Sequence, residues 1–419
     1  MNNNTVSVTI CVDTNKLNNM YDIEKEVENK LREAAKELVE KILAKRQEKL
    51  LEDKKLTKKA KVSRYLYTIF GLIRFNRYKV KDKMGKFFYA LDKAVGLEAN
   101  LSFSPLLAER ITFLCSMYPY RQARDIICHE TGSQIDHRTL WRLIQKKGIK
   151  LRQQDMQEIE NLYSNAKPVE SRSPVHDTLV IEVDSTGISS RQGKGKWMEA
   201  KLAIVYTGKE IKSSSAKIKR YCLKNKTVIA SIDDWDSFGK TTSYFAQKKY
   251  NLSKAKNVLL LSDGDIQIKK FHTDYLPYSI YQCDHYHLKK KLRQVYGANP
   301  VLLDKFLNLI TARQHYKLSY LIKMTKLSGL ITDEDEKTLI SYINSNMDSI
   351  WAVDKLRGAV PKELLKVGSG AVEKNIDITI ARRFKLRGMS WSKEGAANLL
   401  SLRLLYINSK NNNCSSIAA

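Results

Sequence analysis

The stretch TLVIEVDSTG, Thr178 to Gly187, decides how the rest of the chain is read. Leu179, Val180, Ile181 and Val183 form a short, almost unbroken apolar run rich in β-branched residues. A strand covered on both faces reads this way, because neither side has to meet water. The run stops at Asp184, and Ser185, Thr186 and Gly187 turn the chain. A carboxylate in that place stands at the edge of a sheet, where solvent, a metal ion or a substrate can reach it. Taken alone it is an ordinary turn former. The elements that follow give it another meaning.

Toward the C-terminus, strands are expected over Met198–Thr207 and Tyr221–Ile232, then a helix over Ser237–Tyr250. NVLLLSDGD (Asn257–Asp265) reads as a fourth buried strand with Asp263 at its carboxyl end. After a helix through Phe271, YSIYQCDHYHLKKKL gives a short strand ending at Asp284. This β-β-β-α-β-α-β order is the ribonuclease-H-like arrangement, in which the ends of the first and fourth strands lie side by side. Asp184 and Asp263 are therefore expected to converge. Two carboxylates so close repel, and a low dielectric raises the cost of ionising both. A hard divalent cation, Mg²⁺ or Mn²⁺, relieves that conflict and leaves positions for phosphate oxygens. Such ions activate a water or a 3′-hydroxyl and stabilise the leaving oxygen, which points to phosphodiester cleavage and strand transfer. The plainer alternative makes Asp263 the cap of the next helix. Asp265 is the less favoured ligand, because the apolar run stops at Leu261 and Ser262.

A third acid is expected from a helix beyond the last strand. Helical patterns come first at His287–Val295, Leu302–Thr325 and Glu334–Leu356, as an insertion. Then GSGAVEKNIDITIARRFKLRGMSWSKEGAANLLSLR begins at Gly368, with Gly368 and Gly370 as a turn. Glu373 falls in a first helical turn, and Glu394 opens a second helix whose Ala396, Leu399, Leu400 and Leu404 face inward. Both are candidates, although a helix start favours a glutamate anyway. Between them, Arg382, Arg383, Lys385 and Arg387 are placed to hold a DNA backbone.

The charge of the whole chain agrees with a polyanionic partner. Its 419 residues carry a net charge of +28, with 43% hydrophobic and 28% charged residues. That composition is globular, long enough for two or three domains, and nucleic acid is the commonest partner for such an excess of cations. No run approaches the roughly 18 apolar residues of a membrane span, and the polar start MNNNTVSVT is no signal peptide. The six cysteines include no CxxC pair, which suits a reducing compartment. The expected location is the cytoplasm, with the nucleoid.

Upstream, a short strand is expected at Val6–Val12 and one long helix over residues 21–53. KRQEKLLEDKKLTKKAKVSR, Lys45 to Arg64, reads as a linker or a phosphate-contacting arm. YLYTIFGLIRFNRYKV and GKFFYALD, around Gly71 and Gly85, suggest a small β element that exposes Arg74, Arg77 and Lys79. Tyr120 to Gly148 looks like a helix-turn-helix: Gly132 breaks the first helix, Asp136 caps the second, and Leu140, Leu143 and Ile144 face inward. His137, Arg138, Thr139, Arg142 and Lys146 then face outward, toward phosphates and base edges. The expected organisation is an N-terminal helix and basic arm (1–62), a mostly helical DNA-binding region (63–164), and a linker (165–177) with two prolines. A ribonuclease-H-like α/β core (178–290), a helical insertion (291–365), catalytic helices (366–408) and a tail (409–419) follow.

FGLIRFNRYKVKDKMGKFFYALD, VDSTG, LLLSDGD, CDHYHLKKKL, and GSGAVEKN with RGMSWSKEGAANLLSLR together resemble the DDE transposases of bacterial insertion sequences. The resemblance is to the ISLre-two family, akin to the Mutator-like branch, and runs from about residue 60 onward. It implies Mg²⁺-dependent cutting at terminal inverted repeats, strand transfer into double-stranded DNA, and a homodimer or larger assembly holding two ends. It also implies Glu373 as the third acid beside Asp184 and Asp263, with Glu394 as runner-up. Asp284 and His287 look like that branch's D-x-x-H motif, with His287 at the scissile phosphate or orienting a catalytic group. Trp391, in RGMSW, is placed to stack on an unpaired base or to sit in the core. The zinc-binding cysteine cluster of some relatives has no counterpart here. The competing expectations are a structure-specific nuclease of the same fold and a DNA-binding regulator whose catalytic fold is inactive.

Overall fold

A computed structural model describes residues 5–52, 57–171, 173–193, 196–214, 219–365 and 370–413, apart from the side chains at 16, 212–214, 219–220, 387 and 410–413. The chain divides into two compact units, Met1–Lys147 and Gly148–Ala419. The helix carrying that boundary, α5 (His137–Tyr163), continues to the linker at 165–177, which lacks regular structure at its described residues.

In the first unit, α1 (Met20–Leu51) starts at Asn19, whose side chain accepts from the Asp22 amide. It is followed by an antiparallel sheet of β1 (Thr57–Thr68), β2 (Gly71–Lys81) and β3 (Phe87–Tyr89). Leu43 of α1 packs with Leu66, Ile73, Phe75 and Leu91 in its core. Three expectations fail in this unit. Val6–Val12 is not a strand. The basic run is no free arm: its ends close α1 and open β1, and residues 53–56 lie outside the described ones. Arg77 is not a free surface cation, because it pairs with buried Asp92, as does Arg64. Then come α2 (Ala90–Ala94), α3 (Pro105–Met117) and α4 (Tyr120–Thr131). Gly132 ends α4 in the left-handed region, at φ 66°. The Asp136 carboxylate accepts from the Arg138 amide, and Leu140, Leu143 and Ile144 of α5 are buried.

The second unit is built on a mixed sheet of five strands: β4 (Thr178–Ser189), β5 (Trp197–Tyr206), β8 (Thr227–Ser231), β9 (Asn257–Ser262) and β10 (Ile280–Cys283). Their order across the sheet is β10-β9-β4-β5-β8. β4 runs parallel to β9 and antiparallel to β5. Leu179, Ile181 and Val183 join Leu260 of β9 with Phe238 and Phe271, from α6 (Trp235–Tyr250) and α7 (Ile266–Tyr275). Each fully buried aliphatic side chain contributes about 1.5–3 kcal/mol, so this layer fixes the register. The expected third strand is really two: β7 (Lys219–Lys224) pairs in a separate ribbon with β6 (Gly208–Ser214), and only β8 joins the sheet.

After β10 come α8 (His285–Tyr296), α9 (Pro300–Thr311), α10 (His315–Leu327) and α11 (Asp333–Ile350), packed round their own core of Leu288, Leu292, Phe306, Ile322 and Ile343. The helix expected over 302–325 breaks because Arg313 adopts a left-handed conformation, φ 59°. The last elements are α12 (Gly370–Ile376), a π-helical turn at Asp377–Ala381, α13 (Arg382–Phe384) and α14 (Lys393–Asn413). The turn expected at Gly368 lies outside the described residues. Gly148 does not end a helix. It lets α5 approach α14, since a Cβ there would stand 2.5 Å from the Asn398 carbonyl. Among the described residues, no helix is long and apolar enough to cross a membrane.

Candidate active site

Parallel pairing sets Glu182 of β4 opposite Leu261 of β9, the last pair the two strands make. The chain does not turn at Ser185–Gly187 as expected: β4 runs on to Ser189 beside β5, so Asp184 lies within the strand, opposite Leu202, where β9 leaves it. Asp184 lies two residues past Glu182, and Asp263 two past Leu261. The Asp184 carboxyl is pushed up to about 6, chiefly by burial; the negative charges of Asp263 and Glu373 add to the rise, while the Ser185 amide and His287 oppose it. Asp184, Asp263, Glu373 and His287 therefore share one electrostatic neighbourhood. In the first turn of α8, His287 holds Nε2 3.8 Å from Glu373 Oε1, in the first turn of α12. Among the described residues, no three His, Cys, Asp or Glu side chains stand close enough together to hold a metal ion as they are placed.

The other acids have different work. Asp265 is the cap of α7, its carboxylate accepting from the Gln267 amide at 2.7 Å, which leaves Asp263 out of that role. The Asp263 carbonyl accepts from the Tyr342 hydroxyl of α11, 2.9 Å away. Gly264 between them has φ 90°, and a Cβ there would meet Asn346 Oδ1 at 2.6 Å. Asp284 is only 1% exposed and caps α8 through the Tyr286 amide, while its own amide donates to the Ser262 carbonyl. It fixes the helix that carries His287. Glu394 is exposed at the start of α14 and is not among the charges acting on Asp184.

Sequence reasoning missed Glu182. It is fully buried in the middle of β4. One carboxyl oxygen accepts from the Tyr206 hydroxyl at 2.8 Å, the other from the Val372 amide at 3.0 Å. Val372 immediately precedes Glu373, so Glu182 ties the helix of the third acid to the strand of the first. Burial pushes its pKa up, against the pull of these two donors. The signal was in the sequence: one charged residue inside LVIEVD, where an apolar side chain would fit the strand.

Two expected DNA contacts must be corrected. Arg383 is 1% exposed and Trp391 9%. The Arg383 guanidinium lies 5.1 Å from the Trp391 ring centre, and the indole N–H donates to the Phe384 carbonyl at 3.0 Å. An aromatic pocket thus holds a cation that would be costly to bury alone. Of the remaining cations, Arg382 is exposed and paired with Asp377, and Lys385 is exposed and donates to Thr186 Oγ1 of β4. The Arg387 side chain lies outside the described residues. In the first unit, Arg138, Arg142 and Lys146 are exposed on α5, with Lys146 3.3 Å from Glu98.

Sequence similarity to a known family extends along most of the chain. The model of the "Uncharacterised protein family (UPF0236)" matches residues 13–416. The chain is also similar to the "UPF0236 protein in vanSb 3'region" of Streptococcus gallolyticus, at 26% identity over 347 residues, covering 81% of this chain and 72% of that protein. With nearly its whole length matched, from the first helix to the last, the chain belongs to the UPF0236 family.

Proposed function

We propose that this protein is a DNA transposase with a ribonuclease-H-like catalytic domain. In this reading it binds the terminal inverted repeats of its insertion sequence, cuts there, and joins the 3′ ends to target DNA. The observation that carries the proposal is that Asp263, Glu373 and His287 all act electrostatically on Asp184, beside the last parallel pair of β4 and β9. The sheet order, with the acid-bearing β4 central and β9 parallel beside it, agrees with that fold.

The donor types suit a hard cation: burial, with the charges of Asp263 and Glu373, holds the Asp184 proton to about pH 6, a cost a bound cation would relieve. Asp184, Asp263 and Glu373 would hold Mg²⁺ or Mn²⁺, whose chemistry when bound is Lewis-acid activation of the attacking oxygen and stabilisation of the leaving one. Asp184 must lose its proton before it can act as a ligand. His287, with Nε2 3.8 Å from Glu373 Oε1, would orient that carboxylate or contact the scissile phosphate. Lys385, beside Thr186, offers a charge to a backbone phosphate. Arg138 and Arg142 serve end recognition, with double-stranded DNA as partner. Two ends held together require a homodimer or larger, acting at the nucleoid in the cytoplasm.

Labelled inverted-repeat ends, incubated with Mg²⁺ and separately with EDTA, test the reading. Wild type cuts only with the metal. Asp184→Asn and Asp263→Asn bind but do not cut, with losses of at least about 10³-fold, since removing a metal ligand removes several kcal/mol of transition-state stabilisation. Cutting retained in both variants rejects the assignment. Preference for branched DNA without repeats indicates a nuclease instead, and binding without any cutting indicates a regulator.

A further inference from the structure

The helical insertion carries a second basic surface that the proposed chemistry leaves unused. On α8, His285 and Lys289 lie on a different face from His287, two residues being roughly 200° around a helix. They line a groove of about 810 Å³ against the end of α9 and the segment 351–365. Trp351, Val353 and Val360 give it apolar lining, and four cations, Lys289, Arg313, Arg357 and Lys362, line it against one carboxylate, Asp354. That carboxylate is shared, 2.8 Å from Arg313 and 3.1 Å from Arg357. Sharing orients both guanidiniums without neutralising them. Arg313 is held there by a left-handed backbone, φ 59°, which costs a non-glycine residue about 1 kcal/mol. A merely solvated basic face needs neither an apolar lining nor a shared acid to aim its cations.

We propose that this groove is a second DNA-binding surface, taking the phosphate backbone of a DNA segment other than the one being cut. The proposal rests on the reading of the protein as a DNA-acting enzyme. Charge complementarity selects the occupant: four cations to one anion suits a regular row of phosphates. The separation from His287 around α8 selects a different segment from the one at the catalytic edge.

The test uses the full chain carrying Asp184→Asn, and measures affinity for a labelled duplex of arbitrary sequence across a salt series. Combined Lys289→Gln, Arg357→Gln and Lys362→Gln should lower the slope of log affinity against log salt by roughly two to three, at about 0.9 for each phosphate left without its cation. Restoring Arg357 as lysine should return about one unit of slope. In the catalytically intact chain, the triple change should leave cutting of saturating terminal-repeat DNA within about two-fold. Should the triple change lower the melting temperature, Lys362→Gln alone, exposed and outside the Asp354 pairs, carries the test with a drop of about one unit. An unchanged slope in a protein that binds duplex overturns the groove alone. A wild type that binds no duplex at any salt overturns the DNA reading and the groove with it.

Discussion

The carboxyl edge of the five-stranded sheet and the arginine-rich turn after α12 are both dense in charge, and they treat it in opposite ways. At the edge, burial and the charges of Asp263 and Glu373 bear on the Asp184 carboxyl, with the Ser185 amide and His287 opposing them. In the turn, Arg383 is sunk between Phe384 and Trp391. Like charges left facing one another cost stability, and they persist where a ligand relieves them. A cation wrapped in aromatic faces has its partners already. The first arrangement is the one the proposed chemistry uses and the second is architecture, although both are rich in charge when read as sequence.

The contrast is most exposed where stability and cutting should separate. Arg383→Met should lower stability by about 1–2 kcal/mol, through lost stacking on the aromatic faces, and should reduce cutting only through the folded fraction. Asp184→Asn should leave the melting temperature unchanged or slightly higher, while cutting disappears. Thermal denaturation beside a cleavage assay decides. Loss of cutting in fully folded Arg383→Met would move that arginine from architecture to chemistry.

Glu182 stands between the two regions, a buried carboxyl that serves the site through another residue. Glu182→Ala strands the Tyr206 hydroxyl and the Val372 amide, at about 1–3 kcal/mol each. Glu182→Gln keeps an acceptor for one of them and should cost about half as much. If Glu182 positions Glu373, turnover at saturating DNA falls more in the alanine variant than its folded fraction accounts for, and the glutamine variant recovers part of it. Equal turnover per folded molecule in all three proteins would limit Glu182 to a structural role.

How far the sequence carried depended on whether a side chain's partner was local. Asp184 and Asp263 were legible because an apolar run ends at each, and Gly132 and Asp136 because helix ends have short-range rules. Glu373 needed the family resemblance, since any helix start favours an acid. Arg383 was misread, and Trp391 left open between core and DNA, because the stacking that buries them leaves no periodic trace. The strand expected over 221–232 hid a turn at Asn225, whose left-handed φ of 48° separates β7 from β8. Arg313 hid its break in the same way.

The smaller electrostatic effect concerns pH in the absence of divalent ions. The Asp184 carboxyl rises from 3.8 to about 6 on folding. Between these values the folded chain keeps a proton that the unfolded chain has released. Stability from this group is therefore full below about pH 4 and declines as pH rises to about 6. Asp184→Asn should flatten that part of the curve in chemical denaturation, and Mg²⁺ should restore stability above about pH 6 in wild type alone. A wild-type curve indistinguishable from the variant's over this window would remove the burial of Asp184 as a cause.

The smallest expected effect belongs to Lys385, the one cation of the turn, among the described side chains, that reaches the edge. Its ammonium donates to Thr186, two residues past Asp184 on β4, yet the side chain is exposed. An exposed lysine in water contributes little to stability, so Lys385→Gln should leave melting unchanged within about 0.5 kcal/mol. If it holds a backbone phosphate as proposed, Lys385→Gln lowers affinity for repeat ends about three-fold and the salt slope by about one. A lysine placed only to hold Thr186 gives the reverse pattern: a lower melting temperature and an unaltered salt slope. The result assigns Lys385 either to the buried architecture of Arg383 or to the open edge of Asp184, and so fixes where one region gives way to the other.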